Sequence, residues 1–258
     1  MDAVCRLVNE GSACCSFSNL IVEKHQQDTD GSRPEEESDP NDDVIGDGLN
    51  PNQVRAVDSS DSPLALIWGP PGIVDDSNIN GPEESNCSAG TGKTTVVVKI
   101  LQRLFKALGD DEKILMTAST HNGMCLQCSL RLTLRYLAVD NVLERFIRLN
   151  AEEDLVPNDK ILRVATDSSK VNKSLQDYTI DARVGGDMSE NNRFVKQAQQ
   201  RVKSAKIVFT TCAGAGLGIL RKTDFKIAII DEASQITEAC ALIPLVKGCR
   251  NAVLVGDQ

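Results

Sequence analysis

Aromatic side chains are scarce: six Phe, two Tyr and one Trp make up 3% of 258 residues. So few rings exclude a platform built for stacking bases. Basic residues are also in the minority, 28 Lys and Arg against 37 Asp and Glu. The net charge of -9 sets the whole chain apart from the usual basic nucleic-acid binder. No apolar run approaches the ~18 residues that cross a bilayer. Residues 1–22 lack the basic start and unbroken apolar stretch of a signal peptide. The two histidines, His25 and His121, stand apart, and Cys125-x-x-Cys128 has the spacing of half a zinc site with no second pair, which argues against a metal-binding cluster. Nine cysteines, an odd number, cannot close a complete disulfide framework. Together these absences predict a reducing compartment, cytoplasmic or nuclear, with no membrane partner.

The 41% of hydrophobic residues is enough for a sizeable core. The acidity is concentrated between Asp28 and Asp47, where nine acids face a single base, Arg33, for a net of -8. That composition predicts a solvated, disordered N-terminal segment over residues 1–48, with the folded domain over residues 49–258. Cys212, Cys240 and Cys249 lie in or beside apolar runs and read as small hydrophobes of a core.

Short apolar runs recur along the folded part: Ala65–Trp68, Lys113–Thr117, Lys206–Thr211, Phe225–Ile230 and Asn251–Val255. Between them, Thr94–Leu108, Ala138–Leu149 and Ser189–Ala205 have helical character. Continuous apolar strands separated by helices predict an α/β fold, a parallel sheet with helices on both faces.

Gly90-Thr91-Gly92-Lys93-Thr94 precedes the first of these helices and has the form of the second half of a phosphate-binding loop. Small residues let successive backbone N–H groups point at phosphate oxygens, and the helix N-terminus adds positive potential. In such a loop Lys93 reaches the β- and γ-phosphates, and the Thr94 hydroxyl binds Mg²⁺. The contiguous pattern needs Gly five positions before Gly92, where Cys87 stands. The missing front half, Gly69-Pro70-Pro71-Gly72, follows the first strand. Removing residues 73–90 joins the halves as GPPGTGKT. The candidate nucleotide-binding set is therefore Gly69, Pro70, Pro71, Gly72, Gly90, Thr91, Gly92, Lys93, Thr94 and Thr95. Downstream, Asp231 and Glu232 end the run Phe225–Ile230. Acids at the carboxyl end of a strand lie where open α/β sheets bind ligands. Asp231 suits Mg²⁺ held through water and Glu232 suits polarising an attacking water, so Lys93, Asp231 and Glu232 form the candidate catalytic set.

The order of these elements resembles superfamily 1 helicases of the nonsense-mediated-decay and senataxin type. Leu49-Asn50-Pro51-Asn52-Gln53-Val54-Arg55-Ala56-Val57 resembles their Q motif, and GPPG with TGKT their motif I. Thr117–Asn122, continued by Ala138–Asn141, is similar to motif Ia. Thr210-Thr211-Cys212 with Gly214 and Gly216 resembles the motif before motif II, Asp231-Glu232-Ala233-Ser234-Gln235 resembles motif II, and Val255-Gly256-Asp257 the start of motif III. The resemblance implies a RecA-like P-loop lobe that uses ATP and Mg²⁺ to translocate on, or unwind, single-stranded RNA or DNA. It implies that Gln53 reads the adenine edge. It also implies that Ser119, Thr120, Asn122, Thr210 and Thr211 touch the nucleic-acid backbone, with strand-end capping as the competing role. The family's second lobe supplies arginines to the transferring phosphoryl group, and the sequence stops at Gln258 within motif III. Without that lobe the 258 residues alone are expected to be inactive as a hydrolase or helicase, since an absent arginine finger costs ~10³–10⁵ in rate. A P-loop ATPase that remodels proteins, or a fragment without activity, are the alternatives.

Residues 73–90 and 123–137 carry the marks of translated introns. Gly72-Ile73-Val74 and Gly123-Met124-Cys125 can encode GTAT and GTATGT donors, while Ala89-Gly90 and Leu137-Ala138 can encode CAG and TAG acceptors. Excising 18 and 15 residues keeps the frame, leaves 225, and yields the continuous motifs GPPGTGKT and STHNAVDN. A surface-loop insertion is the competing explanation, and loop length alone costs only ~0.6 kcal/mol per doubling.

Overall fold

The computed structural model describes residues 48–69, 92–119, 138–185, 192–216 and 218–257. Both suspected insertions lie outside them, as do Pro70, Pro71, Gly72, Gly90, Thr91, Thr120 and Asn122.

Asn50 starts the folded part with a reciprocal cap. Its Oδ1 accepts from the Gln53 N–H at 2.8 Å, and its own N–H donates to Gln53 Oε1 at 2.9 Å. Pro51 follows at a position where its missing N–H costs nothing, and helix α1 runs Pro51–Ser59. Strand β1, Leu64–Gly69, follows at once. Helix α2, Lys93–Lys106, buries Val96, Val97, Ile100, Leu101 and Leu104 at helical spacing. The remaining elements are β2 (Ile114–Ala118), α3 (Ala138–Glu153), β3 (Ile161–Arg163), α4 (Ile180–Val184), α5 (Asn192–Ser204), β4 (Ile207–Thr211), α6 (Cys212–Ala215), β5 (Ile227–Asp231), α7 (Glu238–Leu245) and β6 (Asn251–Asp257).

The six strands form one sheet in the order β1-β6-β5-β2-β4-β3. Every pairing is parallel. The two faces of the sheet carry separate cores. On one face Met116, Phe209, Ile229 and Val253 pack with α2 and α3. On the other, Leu115, Leu162 and Val208 pack with Ala198 and Val202 of α5, while Ala228, Ile230 and Ala252 pack near α6 and α7. The chain moves across the sheet in one direction over the α2–α3 face and returns over the other. Right-handed crossovers require this reversal. It sets β1 and β6 side by side with their following or preceding helices on opposite faces, which is where open α/β sheets hold ligands.

β2 and β5 are wholly buried, as befits central strands. β1 is an edge strand whose Leu66 and Trp68 are exposed at 46% and 64%. Three polar ties hold the layers. Arg163 and Asp140 form a salt bridge with 1% of either side chain exposed, Nε to Oδ1 at 2.8 Å, joining β3 to the first turn of α3. Asn251 Nδ2 donates to the carbonyls of Ser60 and Ser62 at 2.9 and 2.7 Å, fixing the end of α1 to the start of β6. Arg103 bridges Asp58 and Asp61 at 2.7 and 2.6 Å, fixing α1 to α2.

The helices expected over Thr94–Leu108, Ala138–Leu149 and Ser189–Ala205 are present within a few residues at each end. Strand β3 has no counterpart in the sequence reading. Its three residues are too few to establish a period, and pairing with β4 alone defines it as a strand. Helix α7 also escapes. Its apolar residues are spread around the axis, and Pro244 lies inside it.

Candidate nucleotide site

The carboxyl ends of β1, β6 and β5 bring three motif segments together. β1 ends at Gly69, and α2 begins after Gly92. Gly92 has φ 73°, the left-handed region, and a Cβ placed there would lie 2.2 Å from Gln53 Nε2. Glycine is thus required twice, for backbone conformation and for space. Gln53 is thereby set against the start of α2, with its Oε1 accepting from Asn50 and its Nε2 over Gly92. At Gly69 a Cβ would lie 3.1 Å from Lys93 Cγ and Cδ, so the lysine stem crosses the strand end. Gly69 and Lys93, described residues from the two halves of the divided loop pattern, are therefore neighbours in space. Gly92 gives α2 no side-chain cap, and the first turn has no acid. The opening amides and the dipole of this 14-residue helix favour an anion there. Thr94 is half-buried, and Thr95 is exposed.

Lys93 Nζ is ion-paired with Asp257 Oδ1, at the end of the neighbouring strand β6. One strand further, Asp231 closes β5 with 5% of its surface exposed. Its Oδ1 accepts from the Glu232 N–H at 3.0 Å. Burial pushes the Asp231 carboxyl up to about 7, and the charge of Glu232 adds to the effect. Glu232 is itself raised, first by burial and then by Asp257, with Lys93 opposing. Glu232 also holds φ 53°, which is uncommon outside glycine, and its Oε2 accepts from Gln235 Nε2 at 3.1 Å. Three carboxylates thus face one lysine, a cluster short of positive charge.

Such a cluster suits Mg²⁺. The Thr94 hydroxyl and Asp231 carboxylate are hard oxygen donors, and a cation would offset the cost of burying Asp231. Among the described residues no group of three or more His, Cys, Asp or Glu is placed to hold a metal by itself. The donor set fits an ion that arrives with phosphate oxygens of its own.

The nucleic-acid candidates end on neighbouring strands of the same sheet edge, since Ala118 of β2 pairs with Thr211 of β4. Ser119 and Thr210 are buried, so in this conformation neither offers its side chain to solvent. Thr210 Oγ1 lies beside Gly214, where a Cβ would come within 2.5 Å. Thr211 caps α6, its Oγ1 accepting from the Gly214 N–H at 3.1 Å. This is the strand-end capping role named as the competitor above. Cys212, next in the chain, is buried, and burial pushes its thiol up to about 11. Cys249 is buried as well, while Cys240 is only half-buried.

Asp257 and Ser234 have partners in the site that sequence reasoning left without a role. Asp257 pairs with Lys93, and its N–H donates to Ser234 Oγ at 3.1 Å. The signal for Asp257 was available, since it too is an acid at the carboxyl end of an apolar strand.

A parallel sheet with a lysine-bearing helix N-terminus after β1 and acids at the end of β5 defines an α/β P-loop nucleoside triphosphatase lobe of RecA-like type. The chain belongs to the family described as "AAA domain", which it matches over residues 48–202 and 190–258. It is 30% identical over 228 residues to a regulator of nonsense transcripts 1 homolog of Neurospora crassa, covering 81% of this chain and 18% of that protein. It is 30% identical over 224 residues to the ATP-dependent helicase NAM7 of Saccharomyces cerevisiae, covering 81% and 20%. A third relative is the DNA replication ATP-dependent helicase/nuclease DNA2 of the same yeast, 29% identical over 214 residues, covering 81% and 11%. The chain therefore spans about a fifth or less of these three relatives. The helicase resemblance of its motifs is borne out by their names. Among the described residues no helix is long and apolar enough to cross a membrane.

Proposed function

We propose that residues 49–258 form the first motor lobe of an ATP-dependent RNA or DNA helicase and hold ATP with Mg²⁺ at the carboxyl ends of β1, β6 and β5. The convergence of Lys93, Asp231 and Glu232 on one sheet edge carries this reading. In it Lys93 and the α2 amides bind the β- and γ-phosphates, Thr94 and Asp231 hold Mg²⁺, and Glu232 orients the attacking water. Gln53 Nε2 lies over Gly92 at the start of α2, which supports its role as the adenine reader. The nucleic-acid strand crosses the ends of β2 and β4, where Ser119, Thr210 and Thr211 lie, and Thr120 and Asn122, outside the described residues, belong to the same proposed contact set. The relatives' names support nucleic acid as the polymer acted on.

Residues 73–90 and 123–137 belong in this proposal as translated introns. The close approach of Gly69 to the Lys93 stem supports it, because the five residues Pro70, Pro71, Gly72, Thr91 and Gly92 suffice to join them. A phosphate nest also needs its N–H groups consecutive along the chain.

Titration with a fluorescent ATP analogue tests both ideas. The form lacking the two segments is expected to bind ATP, Lys93→Ala to lose at least tenfold in affinity, and the uninterrupted 258 residues to bind more weakly. Transcript reads that retain both segments as the dominant form refute the intron assignment. Equal binding by Lys93→Ala and its parent refutes the nucleotide site.

A further inference from the structure

Lys93 opens α2 and Asp257 closes β6, and their ion pair spans two neighbouring strand ends. The side chains keep only 16% and 25% of their surface in water, so their attraction exceeds that of a fully solvated pair. Asp257 is held from behind. Its N–H donates to Ser234 Oγ at 3.1 Å. Gly256 lies so close to the turn after β5 that a Cβ there would be 2.9 Å from the Ser234 nitrogen. The end of β6 therefore cannot shift without disturbing the turn that carries Glu232.

A lysine ammonium is a compact charge, and a carboxylate and a phosphate compete for it. We propose that Asp257 is the counterion of Lys93 in the nucleotide-free chain and that nucleotide phosphate displaces it, which makes Asp257 a positioning residue that sets nucleotide affinity. This rests on the reading of the edge as a nucleotide site. Phosphate binding then leaves Asp257 without its positive partner, beside the turn that carries Ser234 and Glu232.

The sign of one substitution separates this role from an ordinary binding role. A residue that helps to bind nucleotide weakens binding when removed, whereas a competitor strengthens it. ADP labelled with a fluorophore is titrated in excess EDTA, so that no divalent ion contributes. The proteins are the 258-residue chain and the form lacking residues 73–90 and 123–137, each as parent, Asp257→Asn, Asp257→Glu, Lys93→Ala, and the double variant of Asp257→Asn with Lys93→Ala. Asp257→Asn is expected to lower Kd roughly threefold to tenfold, the scale of a partly shielded ion pair. Asp257→Glu, which keeps the charge, stays within about twofold of the parent on the same grounds. In the Lys93→Ala background the gain disappears. Unchanged or weaker binding by Asp257→Asn overturns the proposal, as does an equal gain without Lys93. Circular dichroism checks folding, and Asp257→Ser replaces Asp257→Asn should the latter not fold. If neither parent binds ADP, the nucleotide site itself is refuted and the counterion role falls with it. Binding by a parent without the gain refutes the counterion role alone.

Discussion

Replacing Asp231 with asparagine should make the protein more stable, by an amount set by pH. Asp231 ends β5 with 5% of its surface exposed, and burial and Glu232 raise its carboxyl from 3.8 to about 7. The folded chain therefore keeps a proton there that the unfolded chain has already lost. Between the two values the folded state binds more protons, so stability falls as pH rises through this window and levels off above about 7. Each unit is worth 1.36 kcal/mol, so the raised carboxyl lowers stability by on the order of 4 kcal/mol at pH 8 and by about 1–2 kcal/mol at pH 5. Asparagine has the same shape, can still accept the Glu232 N–H through Oδ1, and carries no charge. Thermal unfolding of Asp231→Asn and its parent, free of nucleotide and metal, should show the variant higher by roughly 8–16 °C at pH 8, at 2–4 °C per kcal/mol. The gap should narrow as pH falls and close near pH 4. A constant gap across pH, or a variant less stable at pH 8, refutes the burial argument. Mg²⁺ with ATP should stabilise the parent more than the variant, because only the parent offers it a carboxylate.

Two further substitutions probe the scaffold. Arg163→Ala leaves Asp140 buried without its cation, and should cost about 3–5 kcal/mol by denaturant unfolding, against nearly nothing for an exposed pair. Gly92→Ala forces a side chain into a left-handed position occupied by Gln53 Nε2. It should cost about 1–2 kcal/mol in stability and weaken ATP binding in titration, whereas Gly185→Ala, also left-handed but with open space around it, should spare ATP binding.

The order of strands and helices was legible in the sequence because most strands are continuous apolar runs and the larger helices have a helical period. Ile227–Ile230 is wholly buried within β5, and a short continuous apolar run rich in Ile, bounded by polar residues, suits a central strand. Lys93, Asp231 and Glu232 stood out as candidates for a different reason. Phosphate chemistry needs a lysine after small residues at a helix start and acids at a strand end, and both leave local patterns. β3 was not legible, since three residues hold no period. Nor was the Asp140–Arg163 pair, which joins positions far apart in the chain, because no local pattern reports burial of two charges together.

The sequence by itself determined the class of fold and pointed to the candidate phosphate-loop halves and acids, since each depends on residues close in the chain. It also motivates the proposal that residues 73–90 and 123–137 are interruptions, because they divide patterns that are otherwise continuous. Tertiary structure alone decided which residues share the site. Strand order places β6 between β1 and β5, so Asp257 rather than Asp231 receives Lys93. The same order buries Thr210 and turns Thr211 to capping α6. Which charges meet, and which lose their water, follows from packing between distant segments, and that is why the sequence could mark Asp257 as a strand-end acid without pairing it to Lys93.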